Sequence, residues 1–305
     1  MQTRAIETPE SWLRTAATLA EALPYMRRFS GETFIIKYGG HAMGDPSLAS
    51  KFAADVVLLK QVGIHPVVVH GGGPQISQML ERLKIQSSFV DGLRVTDASA
   101  VEIVEMVLSG TINKQIVSEI NAAGGMAVGI SGKDGRLIEA RKLRRATRDP
   151  DSNIERILDL GFVGEPHTIN PAILEEFHDS NLIPVIAPIG RGPGGETYNI
   201  NADTVAGALA AAMAACKLII LTDVPGVLTP EGQVISELTL REAKHLLKDG
   251  IISGGMIPKV DTCIHALEND VEASHILDGR LPHVLLIETF TQHGAGTMIT
   301  QEMVK

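Results

Sequence analysis

Val67-Val68-Val69-His70-Gly71-Gly72-Gly73-Pro74, VVVHGGGP, runs from an unbroken apolar stretch straight into three glycines and a proline. Consecutive β-branched residues, with nothing polar alternating among them, read as a strand covered on both faces. A proline after the glycines suits the first turn of a helix, where its missing N–H costs nothing. Strand, glycine loop and helix in that order are the unit of an α/β fold. The same pattern recurs on either side. Strands are expected at 33–38, 65–70, 127–131, 182–189, 218–222 and 284–288, and helices at 46–62, 74–83, 97–122, 202–215, 240–248 and 257–270. Three polar, twisting stretches at 87–96, 136–145 and 190–201 are expected as hairpins at the sheet rim.

With 305 residues, 44% of them hydrophobic, the chain can bury a substantial core, and its length suits two domains or two lobes. A glycine-rich shift at 190–196 (GRGPGGE) marks the expected boundary, giving a leading helix in 1–30, an N-terminal lobe in 31–190 and a C-terminal lobe in 191–305. The net charge of -9 argues against a general nucleic-acid binder, because phosphate neutralisation needs a basic face. Small molecules or proteins are the expected partners. Cys216 and Cys263 are the only cysteines, too few for a disulfide framework, which favours a reducing compartment. The longest Ala-rich run, 205–216, is far short of the roughly 20 residues that span a bilayer, and no signal-peptide stretch is evident. A soluble cytoplasmic protein without a membrane partner is therefore expected. The ten histidines form no metal-binding pair, and His70 is expected to pack or hydrogen-bond. No G-x-S-x-G elbow supports a hydrolase.

FIIKYGG, Phe34 to Gly40, ends an apolar strand on a lysine and follows it with two residues that have no side chain. A bound phosphate would pair with Lys37, and Gly39 and Gly40 would let it reach the backbone. Residues 71–73 expose N–H groups beside a positive helix end, which can hold an anion without a basic side chain; a plain strand-to-helix turn is the alternative. GGMIPK, Gly254 to Lys259, places a lysine in a first helical turn, where it opposes the helix dipole unless an anion sits there. A solvated surface lysine is the alternative. Asp203, in NINAD, stands near the start of an Ala-rich helix, ordinarily a place for a capping or dipole-complementing carboxylate. Two lysines, two glycine loops and a carboxylate are nevertheless the parts of a phosphoryl-transfer site, which must neutralise the moving group and hold the acceptor in line. Two look-alikes fail. Residues 190–195 fit G-x-G-x-x-G by letter, but the helix opens several residues too late for a dinucleotide fingerprint, and Gly132-Lys133 lacks the upstream glycine of a P-loop.

KYGG at Lys37, HGGGP at His70, DGLRVT at Asp91, NINAD at Asn199, LTDVPGV at Leu221 and GGMIPK at Gly254 resemble, in order and spacing, the signatures of the amino acid kinase family. The resemblance runs from about Phe34 to the C-terminus and is nearest to the members that phosphorylate N-acetyl-L-glutamate for arginine biosynthesis. It implies a three-layer αβα sandwich around a mostly parallel open sheet, with the amino-acid substrate in the N-terminal lobe and ATP in the C-terminal one. By the same resemblance, Lys37 and Lys259 would stabilise the transferring phosphoryl group and Asp203 would hold the two lysines. Gly72 and Gly73 would bind the acceptor through their amides, while Arg94 would clamp its α-carboxylate, assisted by Asn199. An arginine suits a planar carboxylate because it can make two parallel hydrogen bonds; an exposed hairpin arginine is the alternative. Gly39, Gly40, Thr222 and Asp223 would bind the nucleotide, with Mg2+ arriving as Mg-ATP and no dedicated protein cage for it.

Thr8-Pro9 starts a further helix whose apolar stripe, Trp12, Ala16, Leu19 and Leu23, precedes the kinase-like core. Either it packs on its own lobe or, as the arginine-inhibited members imply, it interlaces between dimers in a homohexamer (a trimer of dimers). In that resemblance L-arginine, the inhibitor, binds beside this helix and the C-terminal segment, at Tyr25, Lys217, His275, Glu288, Gly294 and Gly296. Glu288 would supply the carboxylate that a guanidinium needs. A nitrogen-signalling regulator is a further implied partner. Another carboxylate or carbamate kinase, and a nucleotide- or arginine-sensing protein without turnover, remain open; Lys37, Asp203 and Lys259 together speak against the sensor.

Overall fold

The computed structural model describes residues 9–90, 92–148, 155–178, 180–292 and 294–302, so Thr8 and Asp91 lie outside the described residues. The chain opens with α1 (Glu10–Phe29), β1 (Thr33–Tyr38), α2 (Pro46–Gln61), β2 (His65–His70) and α3 (Gly73–Arg82). A short hairpin, β3 (Phe89–Val90) and β4 (Leu93–Arg94), leads to α4 (Ala98–Glu105), a π-helical stretch Met106–Ile112 and α5 (Asn113–Ala122). Then come β5 (Ala127–Ser131), β6 (Ile138–Lys142), β7 (Arg145–Arg148), β8 (Glu155–Leu158), β9 (Val163–Ile169), α6 (Ala172–His178) and β10 (Ile183–Ala187). The rest runs β11 (Ile189–Arg191), β12 (Thr197–Ile200), α7 (Ala202–Ala212), β13 (Lys217–Thr222), β14 (Glu237–Thr239), α8 (Leu240–Lys248), α9 (Ile257–Glu268), β15 (Ala273–Asp278), α10 (Val284–Phe290) and β16 (Gly296–Thr300).

Eight strands form one sheet in the order β14-β16-β15-β13-β1-β2-β10-β5, parallel except where β16 runs against β15. Strands from both halves of the chain meet in its middle, with Lys37 facing Val69 of β2 and Ile220 of β13. Because successive side chains alternate across a strand, each central strand feeds two cores. Phe34 and Ile36 join the core under α2, α5 and α10, whereas Ile35 joins the core under α7 and α9. Lys37 therefore falls on the α7 and α9 side, one pleat beyond Ile35. At the rim, β6, β9, β11 and β12 close into a small barrel. Gly190, the first glycine of the false dinucleotide match, lies in β11, where an added Cβ would meet Ala140 and Ile200 at 2.7 Å.

The structure differs from expectation in places. Residues 284–288 are helical rather than extended, since a short apolar run does not distinguish a strand from a buried helix. The strand at Ala273–Asp278 is masked in sequence by its polar residues, although Ser274 and His275 are fully buried. No local hairpin forms at 136–145; β6 pairs with the later β9 instead. The long helix expected at 97–122 is broken by the π-helical stretch, a feature frequent at functional sites. Ile257, at the start of α9, is 40% exposed, while Val260, Ile264 and Leu267 further along the helix are buried. On α1 the stripe faces outward, with Trp12, Leu19 and Leu23 more than half exposed. No helix among the described residues is long and apolar enough to cross a membrane.

His70 ends β2 fully buried. The ring tautomer that satisfies both neighbours donates from Nδ1 to the Gly71 carbonyl at 2.8 Å and accepts at Nε2 from the Asn113 amide at 3.3 Å. Asn113 also donates to the Val185 carbonyl at 2.9 Å, tying β2, α5 and β10 together. Burial pushes the imidazole down to about 4, so it is neutral at pH 7. The unfolded chain, with an ordinary histidine near 6.5, then binds more protons than the native one as pH falls between those values. Native stability is expected to drop across that window by up to about 1.4 kcal/mol per pH unit from this residue. Denaturant titrations at pH 7.5, 6 and 5 should show the slope, and His70→Gln should reduce it by the share of this one residue; an unchanged slope would contradict the assignment.

Candidate active site

The alternation of β1 delivers Lys37 toward the start of α7, where Asp203 waits in the first turn. Asn201, not Asp203, caps that helix, accepting from the backbone N–H of Asp203 at 2.8 Å and of Thr204 at 3.2 Å. The Asp203 carboxylate is thus left free of capping. Gly207 lets α9 lie close, since a Cβ there would sit 2.6 Å from the Thr262 methyl. That approach brings Lys259, in the first turn of α9, to the same carboxylate. Asp203 Oδ1 lies 2.9 Å from Lys37 Nζ and Oδ2 lies 2.8 Å from Lys259 Nζ. Burial alone would raise the carboxyl, but Lys37 first and Lys259 second outweigh it and hold it at about 2. One carboxylate shared by two ammonium groups leaves the cluster with a surplus positive charge.

Two cavities open on either side. The first, about 300 Å³, is bordered by Lys37, Gly72, Gly73, Arg94 and Asn199. The second, about 350 Å³, is bordered by Thr222, Asp223, Val227, Ile252 and Met256, and its lining is largely apolar. Lys259 borders both. Arg94, far from being an exposed hairpin residue, is buried. Its Nη2 donates to the Gly73 carbonyl at 3.0 Å and the Ser77 hydroxyl at 2.7 Å, Nη1 donates to Ser87, and Phe89 covers the guanidinium at 4.5 Å. Burial lowers its pKa from the usual value. Asn199 donates to Thr96 Oγ1 at 3.4 Å from the opposite wall.

The glycines are set by space as much as by conformation. A Cβ on Gly72 would lie 2.5 Å from Ile112 and 2.7 Å from Leu108, both on the π-helical stretch. One on Gly39 would lie 2.7 Å from Lys37 Nζ. Gly40 has φ +73, a left-handed conformation that glycine adopts without cost. Asp203 cannot double as a metal ligand while both its oxygens face lysines. Among the described residues no group of three His, Cys, Asp or Glu could hold a metal ion.

A third cavity, about 700 Å³, lies beside α1 and is bordered by Tyr25, Lys217, Glu288, Gly294 and Gly296. His275 is not on its wall but sits fully buried, linking two of these residues. Lys217 Nζ donates to His275 Nε2 at 3.0 Å, and His275 Nδ1 lies 2.8 Å from Glu288 Oε1. Burial, then the Lys217 charge, pushes His275 down to about 4. Glu288 stays below the usual carboxylate range despite its burial, through His275 and the Ala295 N–H. The His70–Asn113 contact, the π-helical stretch and the apolar lining at Val227, Ile252 and Met256 had no sequence signal beyond scattered apolar positions.

The chain has relatives among known proteins. The family model described as "Amino acid kinase family" matches residues 32–278. The chain belongs to the amino acid kinase family. Among curated relatives of this kinase, an acetylglutamate kinase from Rhodospirillum rubrum is 67% identical over 293 residues, covering 96% of this chain and 94% of that one. Another, from Rhodospirillum centenum, is 62% identical, with 97% of each chain covered. Among solved structures, an N-acetylglutamate synthase from Neisseria gonorrhoeae superposes in complexes with coenzyme A and N-acetyl-glutamate, and with coenzyme A and L-arginine, at TM-scores of 0.80 and 0.77. Both are 26% identical; they cover 95% and 94% of this chain, which spans only 64% and 65% of theirs.

The cluster at Asp203 sets two expectations. Lys259→Met should lower kcat about 100- to 1000-fold, the usual effect of removing one donor from a developing charge, while leaving the melting temperature nearly unchanged. Asp203→Ala, which leaves two mostly buried ammonium groups facing each other, should also cost about 3 kcal/mol of stability. Steady-state kinetics paired with denaturant unfolding distinguish the two.

Proposed function

We propose that the enzyme phosphorylates the γ-carboxylate of N-acetyl-L-glutamate with ATP, a step of arginine biosynthesis, and that L-arginine inhibits it. The observation that carries the reaction is the placement of Lys259 on the wall between two cavities, with Lys37 bound to the same aspartate. A phosphoryl group passing from one cavity to the other crosses both ammonium groups, whose surplus charge offsets the charge on its equatorial oxygens. The N-terminal lobe takes the acceptor. Arg94, held in place before any ligand arrives, pairs with the α-carboxylate, and the amides of Gly72 and Gly73 face the reacting end. An acceptor with a second carboxylate makes use of this buried arginine; carbamate has none to offer. The C-terminal lobe takes ATP, its base against Val227, Ile252 and Met256 and its phosphates toward Gly39, Gly40, Thr222 and Asp223. Magnesium carried by the nucleotide as Mg-ATP would supply further positive charge beside Lys37 and Lys259.

The cavity beside α1 supports the inhibitory site. Glu288 offers a guanidinium its carboxylate, and Tyr25 brings α1 onto the same wall. A structural neighbour, the gonococcal N-acetylglutamate synthase, is known in complex with coenzyme A and L-arginine. The exposed stripe of α1 is the surface through which dimers join into a hexamer, in the cytoplasm.

ADP release from Mg-ATP should occur with N-acetylglutamate and be at least about tenfold weaker with glutamate, aspartate or carbamate, because carbamate lacks the α-carboxylate that Arg94 pairs with and the two amino acids carry a charged ammonium in place of the neutral acetamido group. Turnover with carbamate alone would overturn the assignment. Arg94→Lys should raise the acceptor KM about tenfold or more, with the ATP KM unchanged. Added arginine should suppress the wild-type rate, and Glu288→Gln should relieve that suppression at unchanged acceptor KM; inhibition that survives the substitution places arginine elsewhere.

A further inference from the structure

Glu105, Lys133 and Thr197 come from three separate elements and close a triangle. Lys133 Nζ donates to Glu105 Oε1 at 2.9 Å and to Thr197 Oγ1 at 3.0 Å, and the Thr197 hydroxyl donates to Glu105 Oε2 at 3.1 Å. None of the three borders the acceptor or nucleotide cavity. Each stands next to something that does. Thr197 opens β12, and two residues on, therefore on the same face of the strand, is Asn199. Four residues on is Asn201, the cap that sets Asp203. Glu105 ends α4 directly before the π-helical stretch, whose Leu108 borders the acceptor cavity and packs against Gly72. Lys133 stands in the turn after β5, itself pinned where Asp134 accepts from the Ser131 N–H at 2.7 Å and hydroxyl at 3.0 Å. Lys133 and Glu105 side chains are about a third exposed, at 34% and 31%, where an ion pair contributes little to global stability. What the triangle does is geometric: it ties the wall bearing Asn199 to the wall bearing Leu108 and Gly72.

We propose that Glu105, Lys133 and Thr197 are positioning residues that set the width of the acceptor cavity, and hence its affinity for the acceptor. The inference rests on the acceptor assignment above. Loss of the clamp weakens binding of the acceptor in ground state and transition state alike, so it moves KM rather than kcat.

In the full-length enzyme, Lys133→Met and Glu105→Gln should each raise the KM for N-acetylglutamate about tenfold, leaving kcat and the ATP KM within about twofold. Lys133→Arg, which keeps donors for both partners, should recover most of the affinity. In an Asn199→Ala background, Lys133→Met should add less than about twofold, because the contact it positions is already gone. An unchanged acceptor KM in folded Lys133→Met, or full additivity with Asn199→Ala, overturns the clamp. Should the wild type fail to phosphorylate N-acetylglutamate, the functional assignment falls instead. The clamp is then decided by amide hydrogen exchange across 197–201, where faster exchange in Lys133→Met supports it and unchanged exchange overturns it.

Discussion

Two ammonium groups held within hydrogen-bonding distance of one buried carboxylate are the constraint on which the rest of the site depends. Without Asp203 the lysines would repel each other in a poorly solvated place; with it they are held in register but incompletely neutralised. Each neighbouring feature follows from keeping that carboxylate available. Asn201 takes over the capping of α7, the missing side chain of Gly207 lets α9 approach, and the pleat of β1 turns Lys37 to the α7 side.

Much of this was legible in the sequence because parallel strands buried on both faces leave continuous apolar runs. β1 and β2 could be placed to the residue for that reason, and the glycine loops after them follow directly. The same signal misled at α10, where a short apolar run is buried as a helix, and failed at β15, where Ser274 and His275 are buried by partners distant in sequence. For the site, residue types and order were visible while contacts were not. That Lys37 and Lys259 would share Asp203 was implied by family resemblance, but local pattern alone made Asp203 a cap and left Lys259 open between an anion-binding and a surface lysine. Arg94 could not be told from an exposed hairpin residue, since its burial is supplied by Ser77, Ser87 and Phe89 folding over it.

Neutral buried histidines recur. His70 and His275 both sit at zero exposure, and each ties a sheet strand to a helix, His70 to Asn113 of α5 and His275 to Glu288 of α10. Their desolvation keeps them uncharged, so they act as rigid two-ended connectors, one behind the glycine loop after β2 and the other behind the third cavity. The division of labour is consistent: charged side chains line the cavities, and neutral polar contacts support them from behind.

The single lysine wall between the two cavities has a consequence for ligand design. A molecule carrying an acceptor-like carboxylate at one end and an adenine-like ring at the other, joined by a tether that passes Lys259, could occupy both cavities at once. Once one end is seated, the other is presented at high effective concentration, which can raise overall affinity by about 10² to 10⁴ over either half. Such a bisubstrate compound would draw its selectivity from the spacing between the cavities, a dimension that neither ATP nor the acceptor alone reads.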